Sequence, residues 1–223
     1  MTNEKTIKLL SQYTPLDFHI TDINLTFELS ATETIVTSIM KIKKLNKDAH
    51  KLILLGEKIE LLEVKVNDKV LESNDYRLTE KDLSFQFQDM DAVVTIKNSL
   101  SPERNLACDG LYLSGDVICT QNEPEGFRKI TYFLDRPDNM SSFTTKIIAD
   151  KKEYPYLLAN GNKVDEGELE NGKHYCTWND PFFKPSYLFA IVAGDLALVK
   201  DTFQTQSGRD VQIEFYVDKG NEN

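Results

Sequence analysis

The spacing of apolar residues in twos constrains this chain more than any other feature. Ile23, Leu25, Phe27 and Leu29 alternate with Asn24, Thr26 and Glu28, the pattern of a strand with one buried and one wet face. Thr34 to Ile42 continues the theme with β-branched residues, which suit a pleated surface. Leu52 to Leu55 is a short apolar run closed by Gly56. Leu62, Val64 and Val66 alternate, as do Leu83, Phe85 and Phe87, and Val93 to Ile96 follows. Further strands are predicted at Phe143 to Ala149, Tyr156 to Leu158 and His174 to Trp178. Tyr187 to Ala193 is the most hydrophobic run and is expected in the middle of a sheet. Asn67-Asp68 supplies a turn, and Asn160-Gly161-Asn162 and Asn171-Gly172 are turns of the hairpin type. Strands at this spacing predict an all-β sandwich of antiparallel sheets. The one helix the pattern admits is short, around Pro137 to Phe143, with Asp135 as its cap.

At 223 residues the chain has room for one large β domain, or for a medium domain and part of another. A formal net charge of -10 argues against a nucleic-acid binder, which wants a basic face. The local cluster Lys41, Lys43, Lys44 and Lys47 has no interleaved aromatics and reads as a solvated strand end or turn. No stretch approaches the roughly 20 apolar residues of a membrane span. Met1 to Lys5 leads only to the brief apolar Leu9-Leu10, without a cleavage-type ending. The expectation is a cytoplasmic chain that engages neither nucleic acid nor membrane. Cys108, Cys119 and Cys176 are odd in number and form no CxxC, so buried, reduced thiols are expected rather than a disulfide framework. His174 is the obvious partner for a Cys176 nucleophile, but residues two apart on a strand share a face for bland reasons too.

Nucleotide and hydrolase signatures are absent: there is no GxxxxGK[ST], GxGxxG or GxSxG. His19, His50 and His174 are far apart in sequence and no HExxH occurs, so no catalytic zinc site is expected within these residues. Most paired acids, such as Asp89 with Asp91 or Glu166 with Glu168, read as the wet face of a strand or a turn. Glu123 carries more weight. It lies beside Gln121, between Asn122 and Pro124, just before the apolar run Ile130 to Leu134. A carboxylate on a Pro-stiffened segment can grip an ammonium group, with a nearby carboxamide adding an orienting hydrogen bond. The same carboxylate could instead be a structural anchor paired with Arg128. Glu125, two residues on, is the natural control if its side chain faces solvent.

The segment Thr120 to Arg128 resembles the substrate-amine signature of the M1 family of zinc aminopeptidases, with Gln121, Glu123 and Arg128 in the signature positions. Phe127 replaces the usual Ala, and Gly126-Phe127-Arg128 is the form of the family's bacterial branch. Tyr132 to Pro137 is similar to the family's CFDEP stretch, with Asp135 and Pro137 kept. The likeness extends over Tyr13 to Leu29, Asp109 to Gln121, Phe143 to Asp150, Gly167 to Trp178, Tyr187 to Asp195 and Asp201 to Gly220.

The resemblance implies a saddle-shaped, multi-sheet β-sandwich domain over residues 1–195. Residues 196–223 would be the first strands of a thermolysin-like catalytic domain. It implies a parent enzyme that uses zinc to release N-terminal amino acids from peptides. This segment would bind no zinc, hold no catalytic residue and be inactive alone. Its partners would be peptides with a free N-terminus and its own missing catalytic domain. Glu123 would hold the α-amine, Gln121 would help line the first side-chain pocket, and Arg128 would support the site. The alternative is a freestanding β-sandwich binding or adaptor module without enzymatic activity.

Overall fold

The computed structural model describes residues 9–222. Residues 1–8 of the expected first domain and residue 223 of the second lie outside them. In chain order the strands are β1 (Phe18–Glu28), β2 (Thr34–Lys44), β3 (Lys51–Leu55), β4 (Glu60–Val66), β5 (Lys69–Val70), β6 (Tyr76–Leu78), β7 (Asp82–Gln86), β8 (Asp91–Leu100), β9 (Gly110–Ser114) and β10 (Val117–Gln121). They continue as β11 (Met140–Asp150), β12 (Tyr156–Ala159), β13 (Asn162–Glu168), β14 (Lys173–Pro185), β15 (Ile191–Gly194), β16 (Ala197–Gln204) and β17 (Asp210–Val217). Among the described residues the only helical elements are single 3₁₀ turns, Phe127–Lys129 and Ser186–Leu188 among them.

Eight strands form the main sheet, in the order β13-β14-β11-β1-β2-β8-β4-β5. All its pairings are antiparallel except β1 with β11. A four-stranded sheet, β12-β15-β10-β9, and a three-stranded one, β3-β7-β6, complete the sandwich. All three contribute to one buried cluster: Ile23, Leu25 and Phe27 from β1, Leu52 and Leu54 from β3, Ile118 from β10 and Ile191 from β15. Phe27 stacks on Phe189 at 6.1 Å between ring centroids, and Phe127 meets Phe133, Phe143 and Phe189 edge-on at 4.9 to 6.0 Å. Edge-on and offset aromatic pairs add to plain area burial. The hairpin β16–β17 stands as a sheet of its own.

Alternation finds the strands but not their bulges. In β4 a bulge between Leu61 and Glu63 resets the phase. Leu61, Val64 and Val66 pack inward, and Leu62, expected with the buried set, is exposed. Two turns also differ from expectation. Asn171-Gly172 does close the β13–β14 hairpin, but Asn160-Gly161-Asn162 carries the chain from one sheet to another. Ser186–Leu188 is a 3₁₀ turn, so the apolar run expected from Tyr187 yields a strand only over Ile191–Gly194, which is central in its sheet as expected.

The helix expected at Pro137 to Phe143 is absent: β11 starts at Met140, and the Asp135 carboxylate is engaged elsewhere. Lys44 is buried at 3 % exposure rather than solvated, and its ammonium donates to the Gln88 carbonyl at 3.1 Å. Of the thiols, Cys176 is buried, but Cys108 is exposed.

Candidate functional site

Strand β10 ends at Gln121, which pairs with Gly110 of β9. Side chains there still alternate. Gln121 and Glu123 point out to solvent, and Asn122 between them is buried at 3 % exposure. Asn122 Nδ2 donates to the Phe189 carbonyl at 2.7 Å, while its Oδ1 is buried without a partner. The chain then doubles back, with Gly126 N donating to the Asn122 carbonyl at 3.1 Å. A Cβ at Gly126 would fall 2.5 Å from the Gln121 carbonyl oxygen and 2.7 Å from Asn122 Cα. Only glycine allows that approach. The Pro124–Glu125 peptide within the turn is cis.

Arg128 follows on the 3₁₀ turn and is only 9 % exposed. Its Nε donates to Asp135 Oδ2 at 2.8 Å, its Nη2 to the Asp135 carbonyl at 3.0 Å, and its backbone N–H to Oδ2 at 3.3 Å. Nη1 pairs with Glu125 Oε2 at 3.0 Å and lies 3.9 Å from Glu57 Oε1. The Ser186 hydroxyl donates to Asp135 Oδ1 at 2.5 Å. Asp135 itself is 6 % exposed. A buried charge needs such a full set of partners.

The two readings of Glu123 therefore separate. Arg128 is taken up by Glu125, Asp135 and Glu57, and Glu123 makes no ion pair among the described residues. Glu125 departs from its expected role, because its carboxylate helps to hold Arg128 and so is no silent control. Sequence reasoning missed Asn122 and Ser186 as tethers and read Asp135 as a helix cap. The sole signal for Asp135 was its place in the CFDEP-like stretch.

A cavity of about 290 Å³ adjoins the turn, lined by Pro124, Glu125, Asp135, Arg136, Ser186 and Tyr187 among others. A larger one of about 680 Å³, lined by Lys58, Glu60, Ser101, Arg104 and Lys129 among others, includes neither Gln121 nor Glu123. Among the described residues no three His, Cys, Asp or Glu side chains converge to hold a metal ion. His19 Nε2 lies 2.8 Å from the Met140 carbonyl and His174 Nε2 2.8 Å from that of Tyr154. These residues do not fit a zinc site. No Cys176–His174 dyad forms either: the imidazole is engaged by Tyr154, and burial raises the thiol pKa.

Residues 12–188 match the family described as the peptidase M1 N-terminal domain. The chain is 48% identical to aminopeptidase N of Escherichia coli over 224 aligned residues, covering 99% of this chain and 25% of the relative. It is also 48% identical to aminopeptidase N of Haemophilus influenzae, covering 97% of this chain and 25% of the relative. In structure it is similar to Legionella pneumophila aminopeptidase A, solved in complex with aspartic acid. There the TM-score is 0.89 at 35% identity, over 95% of this chain and 25% of that one. The chain thus spans about a quarter of the length of the curated relatives it matches.

Proposed function

This chain belongs to the family of peptidase M1 N-terminal domains, and from that premise we propose that it is the N-terminal β region of a zinc aminopeptidase, in which Glu123 binds the substrate's α-ammonium and Gln121 helps line the first side-chain pocket. The observation that carries the reading is the contrast between neighbouring acids. Glu125 is engaged by Arg128, whereas Glu123 stands on the same tethered turn, exposed and without an ion pair among the described residues. A carboxylate held in place with no such partner suits an incoming cation.

Grip on the α-ammonium fixes the distance from the substrate's N-terminus to the bond that is cut, which favours release of single residues. An exposed carboxylate–ammonium pair contributes about 1 kcal/mol or less, so this chain alone holds an amine weakly. The grip strengthens when a second domain closes over the turn and removes water. Zinc has no ligand set among the described residues, and bond cleavage belongs to a part of the longer protein outside this chain. On this reading residues 1–195 are the β domain, residues 196–223 open a thermolysin-like catalytic domain, and peptides with a free N-terminus are the substrates. A cytoplasmic location is part of the same proposal, and three free thiols suit a reducing compartment.

The test is kcat/KM of the longer protein on an aminoacyl anilide, normalised to folded enzyme. Glu123→Ala is expected to lower it by about 30-fold to several thousand-fold, the equivalent of about 2 to 5 kcal/mol. Glu123→Gln keeps the shape and loses the charge, and should lose most of the same activity. Near-wild-type values for Glu123→Ala would sink the assignment.

A further inference from the structure

From Gln121 to Glu125 the turn that carries Glu123 buries no apolar side chain, with Gln121, Glu123, Pro124 and Glu125 all exposed, and its apolar anchor, Phe127, lies beyond Gly126. Polar tethers hold the segment between, and they converge. Asn122 is tied to the Phe189 carbonyl. Arg128 holds Glu125 on one side and Asp135 on the other, and Asp135 is in turn held by Ser186. Both tethers end on the short segment from Ser186 to Phe189.

Asp135 is the hub. It accepts from Arg128 Nε, from the Arg128 backbone N–H and from the Ser186 hydroxyl, and its own carbonyl accepts from Arg128 Nη2. A buried ion pair of this kind is weak evidence for stability, because apolar side chains of similar volume often serve a core as well. What it supplies here is direction. With Nε and Nη2 fixed on Asp135, the guanidinium plane has one orientation, and Nη1 is aimed at Glu125, two residues from Glu123.

We infer that Asp135 is a positioning residue for amine recognition, acting through Arg128 to fix the turn from which Glu123 projects, without touching substrate itself. This rests on the assignment of Glu123 as the amine-binding carboxylate. Misplacing a substrate-orienting group by about 1 Å can cost on the order of 100-fold in rate. Asp135→Asn keeps the side chain's shape and an acceptor for Ser186, but it loses the charge that orients Arg128.

The experiment uses the longer protein with two anilide substrates, one bearing a free α-amine and one with the amine replaced by hydrogen. Asp135→Asn should lower kcat/KM for the free-amine substrate by on the order of 100-fold and leave the des-amino substrate within about threefold. In a Glu123→Ala background it should add little, since groups acting as a unit are not additive. Ser186→Ala, a milder change, should show the same selectivity with a smaller loss, and it serves as the second variant if Asp135→Asn does not fold. Equal losses on both substrates, or full additivity with Glu123→Ala, would mean a merely structural role and overturn the inference. Wild-type activity in both Asp135→Asn and Ser186→Ala, beside an impaired Glu123→Ala, would overturn it while leaving the amine assignment standing. A silent Glu123→Ala would remove both.

Discussion

A thiol reacts as its thiolate, so the surroundings of each cysteine decide its chemistry. Cys176 is 6 % exposed, and burial pushes its pKa above the ordinary thiol value. Its neutral form therefore persists to higher pH than in a free cysteine, and reagent reaches it poorly. Cys108 is exposed. Titration of the native chain with a chromogenic disulfide at pH 8 should modify Cys108 at once and Cys176 only after denaturant is added. Rapid native labelling of Cys176 would contradict the burial. The same scale shows what a sequence can and cannot disclose about the site. Gln121, Glu123 and Arg128 were legible because they sit within nine residues of one another, from Thr120 to Arg128. The partners of Arg128 and Asn122 were not. Ser186 is 51 positions from Asp135, and Phe189 is 67 from Asn122. No local pattern encodes a hydrogen bond to a distant main-chain carbonyl.

The strands were legible because a half-buried sheet imposes a period of two on the sequence. Bulges were not, because one extra residue in a ladder reverses the facing of everything beyond it. That is why Leu62 changed sides. The hairpin β16–β17 poses a different problem. Ala197, Val199, Phe203, Val211, Ile213, Phe215 and Val217 share one of its faces by register, and Phe203 and Phe215 are largely exposed. Tyr216, on the other face, meets Tyr156 edge-on at 5.2 Å. A two-stranded ribbon is marginal by itself. In hydrogen exchange of this chain, amides of β16 and β17 should lose protection well before those of β15, which has partners on both sides. Equal protection would argue that the hairpin is an integral layer of the sandwich and not the start of another domain.

As a whole molecule, the chain is, under the proposed function, a scaffold that presents one recognition turn. Purified by itself it should release no product from aminoacyl anilides, with or without added zinc, because no metal-holding cluster exists among the described residues. Its thermal midpoint should not move on adding zinc or a chelator, since only a ligand that binds the folded form shifts it. Zinc-dependent turnover, in a preparation shown free of host peptidases, would refute this. The two tethers that meet at Ser186 to Phe189 also set an order of events during synthesis. A ribosome completes Glu123 long before it completes Ser186 and Phe189, where both tethers end. At about 5 to 20 residues per second the interval lasts several seconds. β1 must likewise wait for β11, its parallel neighbour, with Asp22 opposite Ser142, and contacts so distant in sequence form slowly. Under the proposed function, recognition geometry is therefore among the last features this chain acquires, and a shortened version that stops between Glu123 and Ser186 would contain the carboxylate yet lack the far ends of the tethers that aim it.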